Sequence, residues 1–209
     1  MRTLRSALAG VAALAVAGCA TTTFNSTWKN PEAQAVTLHE QKVVALVVTK
    51  NEASRRGAEE APARELNKLG VRGVPAYTLL PTEQVRDKDQ AKAAFEKAGA
   101  DGVVVMRVVG QEKELTSTPG GCYAAPYYGS FWGGGGYWGY GWGAVYDPGY
   151  LRTDTIVSVE TLVYSLKQDK LAWAGRSETT NPSKADDFIK ELTAGVVREM
   201  KKVGLIRSA

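Results

Sequence analysis

The stretch "AFEKAGADGVVVMRVVG", residues 94–110, says more about the kind of chain this is than any other. It opens with the end of a helix, and Gly99 supplies the stop because glycine accepts the left-handed conformation that closes a helix. Asp101 reads as a turn residue. Asp101 to Gly110 then reads as a strand of Val and Met without polar alternation, which suits a strand covered on both faces. A helix that runs straight into such a strand is half of a parallel crossover unit.

Working upstream, Asp87 and Gln90 fit a capping box that starts a helix over roughly Lys88 to Ala98. Before it, "VPAYTLL" (Val74 to Leu80) reads as a strand ended by Pro81. "NEASRRGAEEAPARELNKLG", residues 51–70, is rich in helix formers and reads as a helix to Leu69 with Gly70 as its stop. Pro62 is expected to bend or restart it, since proline removes a helical donor. Val43 to Val48 is another unalternating apolar run and reads as a central strand. The order so far is β-α-β-α-β, with parallel strands and right-handed crossovers.

Downstream the pattern changes. "LRTDTIVSVETLVYSL", residues 151–166, has partial period-two character. Val157, Val159 and Val163 share one face, and Ser158 and Glu160 the other, with Tyr164 and Leu166 further along. "KQDK" reads as a tight turn. "LAWAGRSETT" returns as an antiparallel partner with Leu171 and Trp173 on one face. The last helix is expected to start with Ser183 and Asp186 as a capping box. Ile189, Leu192, Val196, Met200 and Val203 form its apolar stripe, and Gly204 closes it. The sum is a single α/β domain over residues 41–206, in the order β-α-β-α-β-β-β-α. Its mixed sheet has three parallel strands first and an antiparallel carboxyl-terminal hairpin.

The amino terminus reads as a targeting segment. Arg2 and Arg5 precede an apolar run from Ala7 to Val16, too short for the ~20 residues of a spanning helix. "VAGC" (Val16, Ala17, Gly18, Cys19) resembles the lipobox of bacterial lipoproteins. That resemblance implies cleavage after residue 18 and acylation of Cys19, which would hold the protein durably on a membrane. Ala20, where an aspartate would retain the protein at the inner membrane, implies the outer membrane and its periplasmic leaflet. Residues 19–40 read as an extended anchor lead, with Phe24 and Trp28 pinning its end to the domain. Cleavage would remove two of the 26 basic residues and none of the 22 acidic ones. The remaining near-neutral balance, with no basic cluster beyond "MKK", gives no footprint for nucleic acid. With Cys19 lipidated, Cys122 is left as a lone thiol, so no intrachain disulfide is expected.

The element order, with Gly99-Ala100-Asp101 before a valine-rich strand and Trp173 with Gly175 in a late hairpin, resembles a group of uncharacterised proteobacterial outer-membrane lipoproteins. It is similar to the small α/β domain of the curli secretion-channel lipoproteins, of lipoprotein activators of peptidoglycan synthases and of the amino-terminal domain of TolB. The resemblance covers most of residues 40–206. It implies fold and envelope location rather than an activity.

Catalytic constellations are not legible. The one histidine, His39, precedes the first strand, and no G-x-S-x-G is present, so a serine nucleophile has no base. "GGGG" at 133–136 is followed by aromatics and has no lysine to meet phosphate. No metal-ligand spacing occurs. Glu59 with Glu60, and Asp186 with Asp187, read as solvated helix charges. The chain is expected to be non-catalytic, with no cofactor and no metal.

The insertion at 118–150 is the unusual feature. Between Pro119 and Tyr150 lie eleven of the eighteen aromatic residues and eleven of the 22 glycines, with Asp147 the only charge. Trp138, Tyr140, Trp142 and Tyr146 fall at alternate positions with glycine or Val145 between them. As a strand this puts aromatics on one face. Tyr128 and Trp132 could do the same before the glycines, making a hairpin turned at "GGGG". A mobile tether is the plainer reading of so much glycine. An aromatic face formed by Trp132, Trp138, Tyr140, Trp142 and Tyr146 could stack on sugar rings, rest at a membrane interface or meet another protein. The expected function is a periplasmic interaction or assembly module, lipid-anchored and able to oligomerise. The alternative is a glycan- or peptidoglycan-binding module.

Overall fold

The computed structural model describes residues 22–34, 41–113, 132, 155–182 and 184–206. Their elements are β1 (Thr22–Lys29), β2 (Lys42–Val47), α1 (Glu52–Lys68), β3 (Arg72–Pro75), a 3-10 turn (Ala76–Thr78), α2 (Thr82–Val85), α3 (Lys88–Lys97), β4 (Gly102–Lys113), β5 (Thr155–Ser165), β6 (Lys170–Thr180) and α4 (Ala185–Lys202). The strands form one six-stranded sheet in the order β1-β6-β5-β4-β2-β3. β2 is parallel to both β3 and β4, and the other neighbours are antiparallel. The mixed α/β sheet expected from the sequence is the one observed.

The chain steps from β2 outward to β3 and then back across β2 to β4. Crossovers of one hand in opposite directions must lie on opposite faces of the sheet. Accordingly, Val85, Ala91 and Phe95 of α2 and α3 pack on one face with Val44, Leu46, Val103, Val105, Leu162 and Tyr164. Leu66 of α1 and Leu192, Val196 and Met200 of α4 pack on the other, with Val43, Val104, Met106, Val159 and Trp173. Both faces of β2 and β4 are therefore buried, which is why their sequences do not alternate.

The caps follow from the sequence at most ends. Asn51 Oδ1 accepts from Ser54 N at 2.9 Å to start α1, and Asp87 Oδ1 accepts from Asp89 N and Gln90 N to start α3. Gly70, Gly99 and Gly204 follow the helix ends at φ of 78°, 66° and 69°, where a side chain would be strained. Asp101 is more than a turn residue. Its Oδ2 accepts from Lys42 N at 2.7 Å and its Oδ1 pairs with Lys167 at 2.7 Å, joining β2 to the β5–β6 turn.

Several elements differ from the sequence expectation. α1 runs unbroken through Pro62, which is buried. The N-cap of α4 is Lys184, with no side-chain bond, and Ser183 lies outside the described residues. The expected strand at 74–80 stops at Pro75. The amide of Tyr77 is taken by a carboxylate of α1, so the chain curls into the 3-10 turn instead of continuing the ladder. Part of the expected lead, residues 22–29, is an edge strand. Leu171 and Trp173 do not share a face. Val163 pairs with Trp173 and Tyr164 with Leu171, so the extra Ala172 forms an irregularity that turns the two residues to opposite cores.

Candidate functional site

The aromatic insertion contributes one described residue, Trp132. It is half-buried at the margin of the α2–α3 face and stands edge-on to Tyr164, with ring centroids 5.4 Å apart and planes at 88°. The Tyr164 hydroxyl donates to Asp169 Oδ1, which also receives Lys92 Nζ at 2.6 Å. Trp132 therefore rests on a network that ties β5, the β5–β6 turn and α3 together. Burial, then the bond to Asp169, pushes the Tyr164 phenol far above its ordinary range. The bond from Lys92, then that from Tyr164, holds the Asp169 carboxyl below its ordinary range. The structure places Trp132 as a pin on the domain. Trp138, Tyr140, Trp142 and Tyr146 lie outside the described residues, as do Val16, Ala17, Gly18, Cys19, His39 and Cys122.

A carboxylate with a depressed folded-state pKa adds stability above its unfolded value, near 3.9, and that stability is lost as pH falls through the folded value. Asp169 also sits at φ 50°, which asparagine tolerates. Asp169→Asn is expected to lower stability by about 0.5–1.5 kcal/mol at neutral pH. The gap to wild type should begin to narrow below about pH 4 and keep narrowing as pH falls through the depressed folded-state value. Urea unfolding across pH checks this, and a gap that does not change with pH would remove the charge from the account.

Open α/β sheets bind ligands in the crevice beyond the carboxyl ends of their parallel strands. Here the ends of β2 and β3 are occupied by the chain's own charges. Arg55 and Glu59 are both fully buried. Glu59 Oε1 accepts from Arg55 Nε at 2.9 Å and Val47 N at 3.2 Å, and its Oε2 accepts from Tyr77 N at 2.6 Å. Arg55 donates from Nη1 to Thr82 Oγ1 at 3.1 Å and from Nη2 to the Leu80 carbonyl at 3.0 Å. The pair clamps α1 to β2, the 3-10 turn and α2. Burial pushes the Glu59 carboxyl upward, against the pull of Arg55. The sequence reading of Glu59 as solvated is corrected, while Glu60 beside it is exposed. The legible signal was the i, i+4 spacing of Arg55 and Glu59, which puts both on one helix face.

A second buried ionic row crosses the sheet. Glu160 lies opposite Arg107 on β4 and opposite Arg176 on β6. Arg107 Nε and Nη2 each approach Glu160 Oε2 at 3.0 Å, and both residues are buried. Such a row fixes the register of the strands, because a one-residue slip would leave buried charges unpaired. An apolar cleft lies on the other face between α1, α4 and the sheet, lined by Leu66, Val104, Met106, Thr193 and Val197. Among the described residues, no cluster of His, Cys, Asp and Glu could hold a metal ion, and no helix is long and apolar enough to cross a membrane.

β1 begins at Thr22, three residues beyond Cys19. Thr22 pairs with Thr179 across the ladder, and their hydroxyls are 2.8 Å apart. Phe24 stands edge-on to Trp173, centroids 5.9 Å apart, beside Gly195 of α4. Trp28 packs on the opposite face. A register shift between Phe24 and Ser26 separates these two aromatics, which plain alternation would put together.

The class that fold and site define is thus a single α/β domain whose charged clusters are built into its framework. No family model matches the chain, and no curated protein matches it. Among solved structures, it is similar to the PelC dodecamer from Paraburkholderia phytofirmans at 14% identity and a TM-score of 0.49, over 90% of this chain and 100% of that one. It is similar to the lipoprotein GNA1162 from Neisseria meningitidis at 14% identity and a TM-score of 0.38, over 78% of this chain and 99% of that one. Likenesses this distant assign neither a ligand nor an assembly to this chain.

Proposed function

We propose that this chain is a non-catalytic, lipid-anchored module of the cell envelope, held through Cys19 on the periplasmic face of the outer membrane and acting by contact with other envelope components. The observation that carries the reading is the order of features at the amino terminus: a basic start, an apolar run, "VAGC", and then β1 from Thr22. The sheet takes up the chain directly after the expected cleavage point. The buried carboxylates support the non-catalytic part, since Glu59 and Glu160 are each engaged by arginine inside the framework.

The test is made in cells labelled with palmitate. The wild type is expected to take up label and to fractionate with outer membranes. Cys19→Ser is expected to lose the label completely and to stay unprocessed. Label retained by Cys19→Ser, or none in the wild type, would overturn the reading.

A further inference from the structure

The start of β1 fixes more than attachment. We propose that the sheet end carrying Thr22, Lys113, Thr155 and Thr180 faces the lipid bilayer, with the opposite end, at Asp101 and the β5–β6 turn, directed away from it. This rests on the lipid anchor at Cys19.

The ladder registers place these residues together. Thr22 pairs with Thr179, Thr179 with Val157, Ile156 with Thr180, and Thr155 with Lys113. The amino ends of β1 and β5 and the carboxyl ends of β4 and β6 therefore share one end of the sheet. Asn181 holds that end together, its amide donating to the Thr155 carbonyl at 2.8 Å and its Oδ1 accepting from Thr155 N at 2.8 Å. At the other end Gly102 pairs with Ser165, and Leu166 N donates to the Asp101 carbonyl at 3.0 Å.

Three residues of extended chain reach at most about 10 Å. The anchored cysteine thus lies within about 10 Å of Thr22, however those residues are arranged. The leash cannot lengthen unless β1 leaves the sheet. That would break the ladder of this eight-residue strand to β6 and expose Phe24 and Trp28. β4 spans twelve residues, so the two ends are separated by roughly 35 Å at about 3.3 Å per residue. A tether this short sets the end at Thr22 at the lipid headgroups and the other well beyond them.

The experiment uses the mature chain from Cys19 with Cys122→Ser, coupled through the Cys19 thiol to a maleimide-headgroup lipid in phosphatidylethanolamine–phosphatidylglycerol vesicles. An azide-bearing phenylalanine carrying a fluorophore replaces either Thr180 or Lys97, both exposed, the latter at the far end of α3. Nitroxide on the lipid headgroups is the quencher. Strong quenching at position 180 with little at 97 is expected. Equal quenching, as in a domain lying on its side, or the reverse order would overturn the orientation. Because the tether is chemical, this result is independent of palmitate uptake in cells, so failure of the orientation and failure of the lipid reading are told apart.

Discussion

Glu59→Ala is expected to remove about 3–5 kcal/mol from the stability of the domain, because it leaves the buried Arg55 guanidinium with only the half-exposed Glu52 carboxylate, 3.6 Å from its Nη1, as counter-charge. Arg55 would keep its bonds to Thr82 and the Leu80 carbonyl, but no buried carboxylate. The amides of Val47 and Tyr77 would lose their acceptor as well. Losses of this size approach the whole stability of an ordinary domain, so much of the variant would be unfolded under mild conditions. Equilibrium urea unfolding measures it. The companion variant Arg55→Met, Glu59→Leu is expected to recover most of the loss. Burial pushes the Glu59 carboxyl upward, so holding it ionised costs part of what the pair returns. The sign agrees with this. A group whose folded-state pKa is raised contributes most below its unfolded value, near 4.3 for glutamate, and loses that contribution as pH rises through the folded value. A double variant as unstable as Glu59→Ala would show that the bonds to the 3-10 turn, rather than charge balance, dominate.

Trp173→Ala is expected to cost a further class of about 3–5 kcal/mol, by opening a cavity where a fully buried indole packs on Phe24 and the core beneath α4. Trp173→Phe should cost much less, since the indole N–H has no hydrogen-bond partner among the described residues. The same site explains the glycine two residues on. A Cβ on Gly175 would lie 2.2 Å from Trp173 Cη2 and 2.7 Å from Cζ2. The ring lies back over Gly175, so the Trp-Ala-Gly sequence is one packing unit. Gly175→Ala must displace the indole and is expected to lose about 1–3 kcal/mol by overpacking. Thermal or urea unfolding of the three variants gives the order: alanine at 173 worst, alanine at 175 intermediate, phenylalanine at 173 mildest. A neutral Gly175→Ala would mean that the indole has room to move.

The candidate site was legible only in part. The sequence singled out Trp132 with the other aromatics as a contact face, and the structure sets Trp132 against Tyr164. Nothing in a glycine-rich sequence announces that pin, because its partner lies 32 positions away on another strand. Arg107 and Glu160 were read only as strand residues. Their pairing depends on the register between β4 and β5, which residues of one strand cannot specify.

The sequence by itself determined the parallel half of the sheet, the helices that cross it and the apolar stripe of α4. These depend on local signals: unalternating apolar runs, capping side chains and glycines at the three positive-φ stops. Tertiary structure decided the rest. β1 carries few apolar residues and becomes a strand only because β6 offers a free edge and Trp173 a surface for Phe24. The opposite facing of Leu171 and Trp173, and of Phe24 and Trp28, comes from ladder irregularities that break the period of two. A strand's own pattern records which residues are apolar. Which side each one reaches is set by where its neighbour takes in an extra residue.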